Sequence, residues 1–183
     1  MKQFICLILC IGFISCEGPK ARKPVKVSTG TTIKTSIKRS KALLAKEEKL
    51  IQNIIAKDTL HKYQPSTSGS WFYYLSKNEE SEETAKGNDL ISLTYNVVSF
   101  ENDTIYAMDD VGVLQYTADK IPLFPGLRNS IKFLKEGETA TFLFPSSLGY
   151  GYHGDNHKIG INVPIKSTVA ILKIETTEQI HQN

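Results

Sequence analysis

Eighteen residues, "SLGYGYHGDNHKIGINVP" (Ser147–Pro164), hold two histidines, one aspartate, two tyrosines and four glycines. Two chemistries suit such a stretch. His153, Asp155 and His157 offer two imidazoles and a carboxylate, a donor set that zinc or copper accepts. Alternatively, the stretch forms the rim of an apolar pocket with one tyrosine hydroxyl pointing into it, and Gly154 to Gly160 form a flap. The histidines lie in one glycine-rich loop, with no cysteine and no second element to complete a coordination shell, and this favours the rim. His61 has no partner legible in the sequence. Nucleophilic catalysis fails on inventory: no cysteine lies beyond residue 16, and no serine sits in a Gly-x-Ser-x-Gly elbow. Glycine-rich loops that cradle phosphate are absent as well.

The elements that position this stretch must come from one domain, since 183 residues allow a single core with a tail or two. A hydrophobic share of 40% and a charged share of 22% are those of an ordinary globular protein. The net charge of +3 conceals an asymmetry. Residues 17–41 carry eight Lys/Arg against Glu17 alone, while residues 42–183 carry 13 bases against 18 acids. A basic tail on an acidic body, its aromatics outside any basic patch, is not the footprint of nucleic-acid binding.

Cys6, Cys10 and Cys16 all fall in the first sixteen residues. There Lys2 precedes the eleven-residue apolar run "FICLILCIGFI", then Ser15 and Cys16, the pattern of a secretory signal over residues 1–15. The run is short of the roughly twenty residues that span a bilayer. "FISC" resembles a bacterial lipobox, with Phe13 where leucine is usual. That resemblance implies acylation of Cys16 and anchorage in a lipid bilayer, the outer membrane facing the periplasm. An ordinary signal peptide is the alternative.

Residues 16–40 lack hydrophobic periodicity and carry Pro19 and Pro24, which predicts a flexible basic linker. At ~5–6 Å × √n, its reach is roughly 25–30 Å. From Ser40, a plausible N-cap, the pairs Leu43/Leu44, Leu50/Ile51 and Ile54/Ile55 recur on one stripe. They predict an amphipathic helix over 41–60 that docks on its own domain, with a dimer contact through 41–58 as the alternative. A β pattern follows over 61–178, ahead of a tail at 179–183. Its strand candidates are "WFYYLS", the alternating "LISLTYNVVSF", "TIYAM", "VGVLQY", "TATFLFP" and "STVAILKIE". One helix interrupts them, "FPGLRNSIKFLKEGE", with Pro125 in its first turn, Leu127, Ile131 and Leu134 as its buried stripe and Gly137 as its stop. About five antiparallel strands curled on one short helix make an α+β domain.

In order, "LTY", "TIYA", "LFPGL", "LGYG", "INVP" and "VAILKIE" resemble the FKBP-type peptidyl-prolyl isomerase domain over roughly residues 65–176. The lipid anchor and basic linker are similar to those of gliding-motility-associated isomerase lipoproteins. The resemblance implies an apolar cradle between sheet and helix that takes proline-containing polypeptides and uses no cofactor. On matching positions it places Tyr95 and Tyr106 as aromatic walls and Leu123 and Phe124 at the lip, the Phe124 N–H facing a substrate carbonyl. Leu127 becomes the floor, Tyr150 the rim hydroxyl, and Val163 and Ile171 the remaining walls.

Three positions depart from the pattern. Ala107 stands where an acid usually follows the pocket aromatic, Leu127 where tryptophan is usual, and Ile171 where phenylalanine is usual. The first departure implies a lost polar contact at the pocket, and together the three imply slower turnover or an altered preference for the residue before proline. A binding module that holds chains without turning them over is the rival function.

Overall fold

The structure is a computed structural model that describes residues 29–118, 120 and 122–176. Cys16, the signal segment and the tail at 179–183 lie outside the described residues. The chain divides into two compact units, Met1–Ile37 and Lys38–Asn183.

Helix α1 runs from Thr29 to Lys57. It therefore starts well before Ser40, inside the stretch expected to be flexible linker. Neither Pro nor Gly interrupts residues 31–57, and Ile33 and Ile37 stand at helical spacing from Leu44. The helix also stops short of residue 60. Asp58 ends it by accepting hydrogen bonds from the Leu60 and His61 N–H groups, a side-chain turn that draws the backbone out of helical register. In the first unit, Ile33 and Ile37 are exposed. In the second, α1 docks on its own domain, as its stripe predicted. Ile51 is fully buried, Glu47 Oε2 accepts from the Ser146 N–H at 2.9 Å, and Trp71 Nε1 donates to Glu48 Oε1 at 3.2 Å. Among the described residues no helix is long and apolar enough to cross a membrane.

The sheet holds β1 (Gln64–Pro65), β2 (Trp71–Ser76), β3 (Leu90–Tyr95), β4 (Val97–Val98), β5 (Thr104–Tyr106), β6 (Leu114–Thr117), β7 (Thr139–Phe144) and β8 (Ile165–Glu175). Its order is β1-β2-β7-β8-β3-β6, with β4 bridging β5 and β8, and every pairing is antiparallel. The strand count exceeds the expected five because short pieces are added and one expected strand is split. "LISLTYNVVSF" breaks at Asn96, whose Oδ1 accepts from the Thr168 N–H at 2.7 Å while its carbonyl accepts from Ser167 Oγ at 2.6 Å. A single turn of helix, α2 (Met108–Val111), follows Tyr106.

Helix α3 (Pro125–Ile131) lies against the sheet and spans seven residues, about half of the periodic stretch. Beyond Ile131 the chain tightens into turns, with Lys132 N–H on the Asn129 carbonyl and Phe133 N–H on that of Ser130. This turn lets the Phe133 ring reach Phe72 at 5.1 Å and Phe142 at 5.7 Å. The core between α3 and the sheet is largely apolar. Leu127, Ile131, Leu134, Phe142, Phe144, Ile165 and Ile171 are all buried there.

Candidate functional site

The site is assembled where the start of α3 meets the turn after β7. Phe124 is the N-cap of α3, in extended conformation (φ −61°, ψ 147°), and Pro125 follows at the first helical position. Proline brings no N–H, and its fixed φ suits that position. The Gly126 N–H is already used, donating to the Leu148 carbonyl at 2.6 Å. Ser130 Oγ donates back to the Gly126 carbonyl at 2.8 Å and tightens the same turn.

The turn from Pro145 to Gly151 is wound on two carbonyls. Leu148 N–H reaches Pro145 at 2.9 Å, and the N–H groups of Gly149 and Gly151 reach Ser146 at 3.1 and 2.8 Å. Gly151 closes it at φ +59°, a backbone conformation that glycine adopts without strain. This winding lays the Tyr150 ring against Phe124, centroids 5.2 Å apart at 38°. Tyr95, at the end of β3, meets Phe124 from another direction at 6.0 Å and 70°. Phe144 backs the same ring at 5.8 Å and 78°. Three aromatic side chains therefore surround Phe124, in the offset and edge-on arrangements that aromatic pairs prefer.

Burial, which disfavours phenolate, pushes Tyr95 above the ordinary tyrosine range, and Tyr150 well above it, with the neighbouring Tyr95 and Asp155 adding to the effect. Both remain neutral hydrogen-bonding groups at physiological pH.

On the flap, Asp155 Oδ1 accepts from the N–H groups of His157 at 2.8 Å and Ile159 at 2.7 Å. Its Oδ2 accepts from the Tyr106 hydroxyl at 2.5 Å. Burial raises the Asp155 carboxyl, but the bonds from Tyr106, Ile159 and His157 outweigh it and hold the group below the usual aspartate value. Both oxygens of Asp155 are thus committed to Tyr106 and the flap's own backbone. His153 turns elsewhere, its ring edge-on to the exposed Tyr152 at 5.6 Å. Lys158 covers the Tyr106 ring at 4.8 Å and donates to the Ile105 carbonyl at 3.1 Å.

All eight pocket positions read from the sequence belong to one apolar body. Phe124, Leu127 and Ile171 lie inside it, and Tyr95, Tyr106, Leu123, Tyr150 and Val163 pack against it half-buried. Val163 has a second face, lining a cleft of about 410 Å³ with Leu50 and Ile54 of α1 and with Phe100. Ala107 brings no polar side chain of its own, and the carboxylate that reaches the neighbouring Tyr106 comes from Asp155 on the flap. Its signal was in view as Gly-Asp-Asn inside a flap, an aspartate suited to bonding backbone two and four residues on. His61, without a partner in the sequence, donates or accepts at Asp58 across 2.8 Å and stacks on Tyr73 at 3.9 Å.

No protein-family model matches the chain. It is 27% identical over 139 residues to a protein of Neisseria meningitidis described as a probable FKBP-type peptidyl-prolyl cis-trans isomerase FkpA, covering 76% of the chain and 49% of that relative. The chain therefore spans about half the length of that curated relative. Among solved structures it superposes on a peptidyl-prolyl cis-trans isomerase of Pseudomonas syringae with a TM-score of 0.58 and 12% identity, over 75% of this chain and 96% of that one. FkpA of Escherichia coli superposes with a TM-score of 0.57 and 17% identity, over 95% of this chain and 81% of that one. The fold is that of the FKBP-type peptidyl-prolyl cis-trans isomerases, the family that the sequence also resembles.

Proposed function

We propose that this chain is a peptidyl-prolyl cis-trans isomerase acting on proline-containing polypeptides. The observation that carries the reading is the Phe124 ring, held at the N-cap of α3 between Tyr95 and Tyr150. A prolyl bond turns over a barrier of ~18–20 kcal/mol because twisting breaks amide resonance. Resonance separates charge, so the planar amide is better solvated by water than the twisted one. An apolar wall of aromatic rings removes that preference and lowers the barrier. On this reading the Tyr150 hydroxyl and the Phe124 N–H hold the flanking carbonyls, and they accelerate the reaction to the extent that they bind the twisted form more tightly. Twisting calls for neither a nucleophile nor a proton transfer.

The reading extends to location and clients. Acylation at Cys16 would tether the enzyme to a bacterial envelope membrane, where exported chains fold, gliding-motility components among them. Leu44 and Leu50, exposed within the 41–58 stretch of α1, support contact with a second copy.

The test is isomerisation of proline peptides, varied in the residue before proline. Tyr150→Phe removes one hydrogen bond and should lower kcat/KM roughly fivefold, the equivalent of ~1 kcal/mol, with melting little changed. Phe124→Ala removes the ring that organises the others and should abolish turnover. Leu127, buried where a tryptophan floor is usual, favours the rival reading of a holding module. Binding of proline-rich chains with no acceleration would establish that rival.

The same chemistry predicts a flat pH profile. Tyr95 and Tyr150 are raised above an ordinary value of ~10 and Asp155 is lowered from ~3.9, so none changes charge between about pH 6 and 9. A bell-shaped kcat/KM over that window would contradict the mechanism. Above about pH 10 the unfolded chain loses tyrosine protons that the folded one retains, so stability should fall with rising pH.

A further inference from the structure

The flap touches the strand that carries Tyr106 at three points. Asp155 accepts from the Tyr106 hydroxyl, Lys158 covers the ring, and the Lys158 ammonium donates to the Ile105 carbonyl. The flap's own geometry serves this grip. Gly154 lies at φ +67°, and a Cβ there would stand 2.3 Å from the Ile159 carbonyl oxygen, so only glycine lets the loop fold this tightly. The Asp155 N–H closes the turn by donating to that same carbonyl at 3.1 Å. The two oxygens of Asp155 divide the work: Oδ1 holds the loop and Oδ2 holds the tyrosine.

We propose that Asp155 is a positioning residue, which fixes Tyr106 as a wall of the pocket and latches the flap beside it. The inference rests on the isomerase reading and deepens it. Tyr106 has no acid beside it on its own strand, since Ala107 follows it, and Ala107 donates its N–H to Asp110 at 3.1 Å. A carboxylate from the flap therefore makes the orientation of the pocket wall depend on a closed flap. Residues that precede proline in a substrate would meet a wall and flap that move as one piece.

Asp155→Asn separates the two roles. Its amide oxygen can still take the His157 and Ile159 N–H groups, while its NH₂ cannot accept from the Tyr106 hydroxyl. The first readout is the Tyr106 ionisation midpoint, followed by NMR at the ring carbon bearing oxygen. Tyr106 is raised in the intact protein chiefly by its bond to Asp155, so the midpoint should fall towards the ordinary tyrosine value in the variant. The second is kcat/KM, expected to drop about tenfold, as for loss of a hydrogen bond to a charged group. Tyr106→Phe should give the same drop, and the double variant no further one, with relative rates among peptides altered alike in all three. An unmoved Tyr106 midpoint, or losses that multiply in the double variant, would overturn the proposal. Absence of any turnover in the unaltered protein would sink the isomerase reading instead, and the midpoint would then decide the latch by itself.

Discussion

Replacing Gly126 by alanine is expected to cost on the order of 3 kcal/mol of stability and to remove turnover with it. A Cβ at this position would stand 2.6 Å from Phe144 Cδ1, 2.7 Å from Cε1 and 2.8 Å from the Leu148 carbonyl oxygen. Neither neighbour can yield cheaply. The Phe144 ring is stacked on Phe142 at 5.4 Å and 2° and backs Phe124 on its other side. Leu148 O is backbone, already bonded to the Gly126 N–H. The start of α3 must therefore back away from β7, and it carries Phe124 and Leu127 with it. Thermal melting should fall by roughly 10 °C for a domain of this size. Gly149→Ala is the matched control. There a Cβ would meet Ile165 at an ordinary 3.4 Å and φ is not positive, so stability should hold or rise by about 0.5 kcal/mol. If Gly126→Ala melts and turns over like the unaltered chain, close approach of α3 to β7 is not what fixes the site.

Gly126 also shows what a sequence can and cannot disclose. Pro125-Gly126-Leu127 marks a helix start by local chemistry alone, and the helix is there. Its length was not legible. The apolar period of Ile131 and Leu134 continues past the point where Phe133 leaves the helix to pack on Phe72 and Phe142, and those partners lie far along the chain. The start of α1 was hidden for a different reason. Residues 28–36 are rich in Ser and Thr, poor helix formers in isolation, while Ile33 and Ile37 were too sparse to stand out as a stripe. Within the site, the short motifs carried a family resemblance, and the eight positions it pointed to share one apolar body. The carboxylate at Tyr106 was not legible. It arrives from Asp155, 49 positions away, and only the closed flap brings the two together.

A chain beginning at residue 60 should be far less stable than one beginning at residue 38, although residues 60–176 contain the whole sheet and α3. The shorter chain lacks Ile51, which is fully buried, and the carboxylate of Glu47, which is 3% exposed and caps the Ser146 N–H. Losing an isoleucine's contacts costs ~2–5 kcal/mol, and leaving a buried N–H unsatisfied costs a further ~1–3 kcal/mol. Against a total of ~5–15 kcal/mol, that leaves little. In the full chain, Ile51→Ala and Glu47→Ala should each reproduce part of the loss, and less than additively, since the two sit one helical turn apart. Glu47→Gln keeps an acceptor for Ser146 and should be milder. Leu44→Ala, on the exposed side of the same helix, should change stability by no more than about 0.5 kcal/mol. The effect on function follows from where Glu47 binds. The Ser146 carbonyl receives the N–H groups of both Gly149 and Gly151, which bracket Tyr150. Loosening Ser146 therefore loosens the rim hydroxyl, and kcat/KM of Glu47→Ala should fall by at least the fivefold expected of Tyr150→Phe. Equal melting of the two truncated chains, with equal turnover, would mean that α1 rests on the domain without shaping its site.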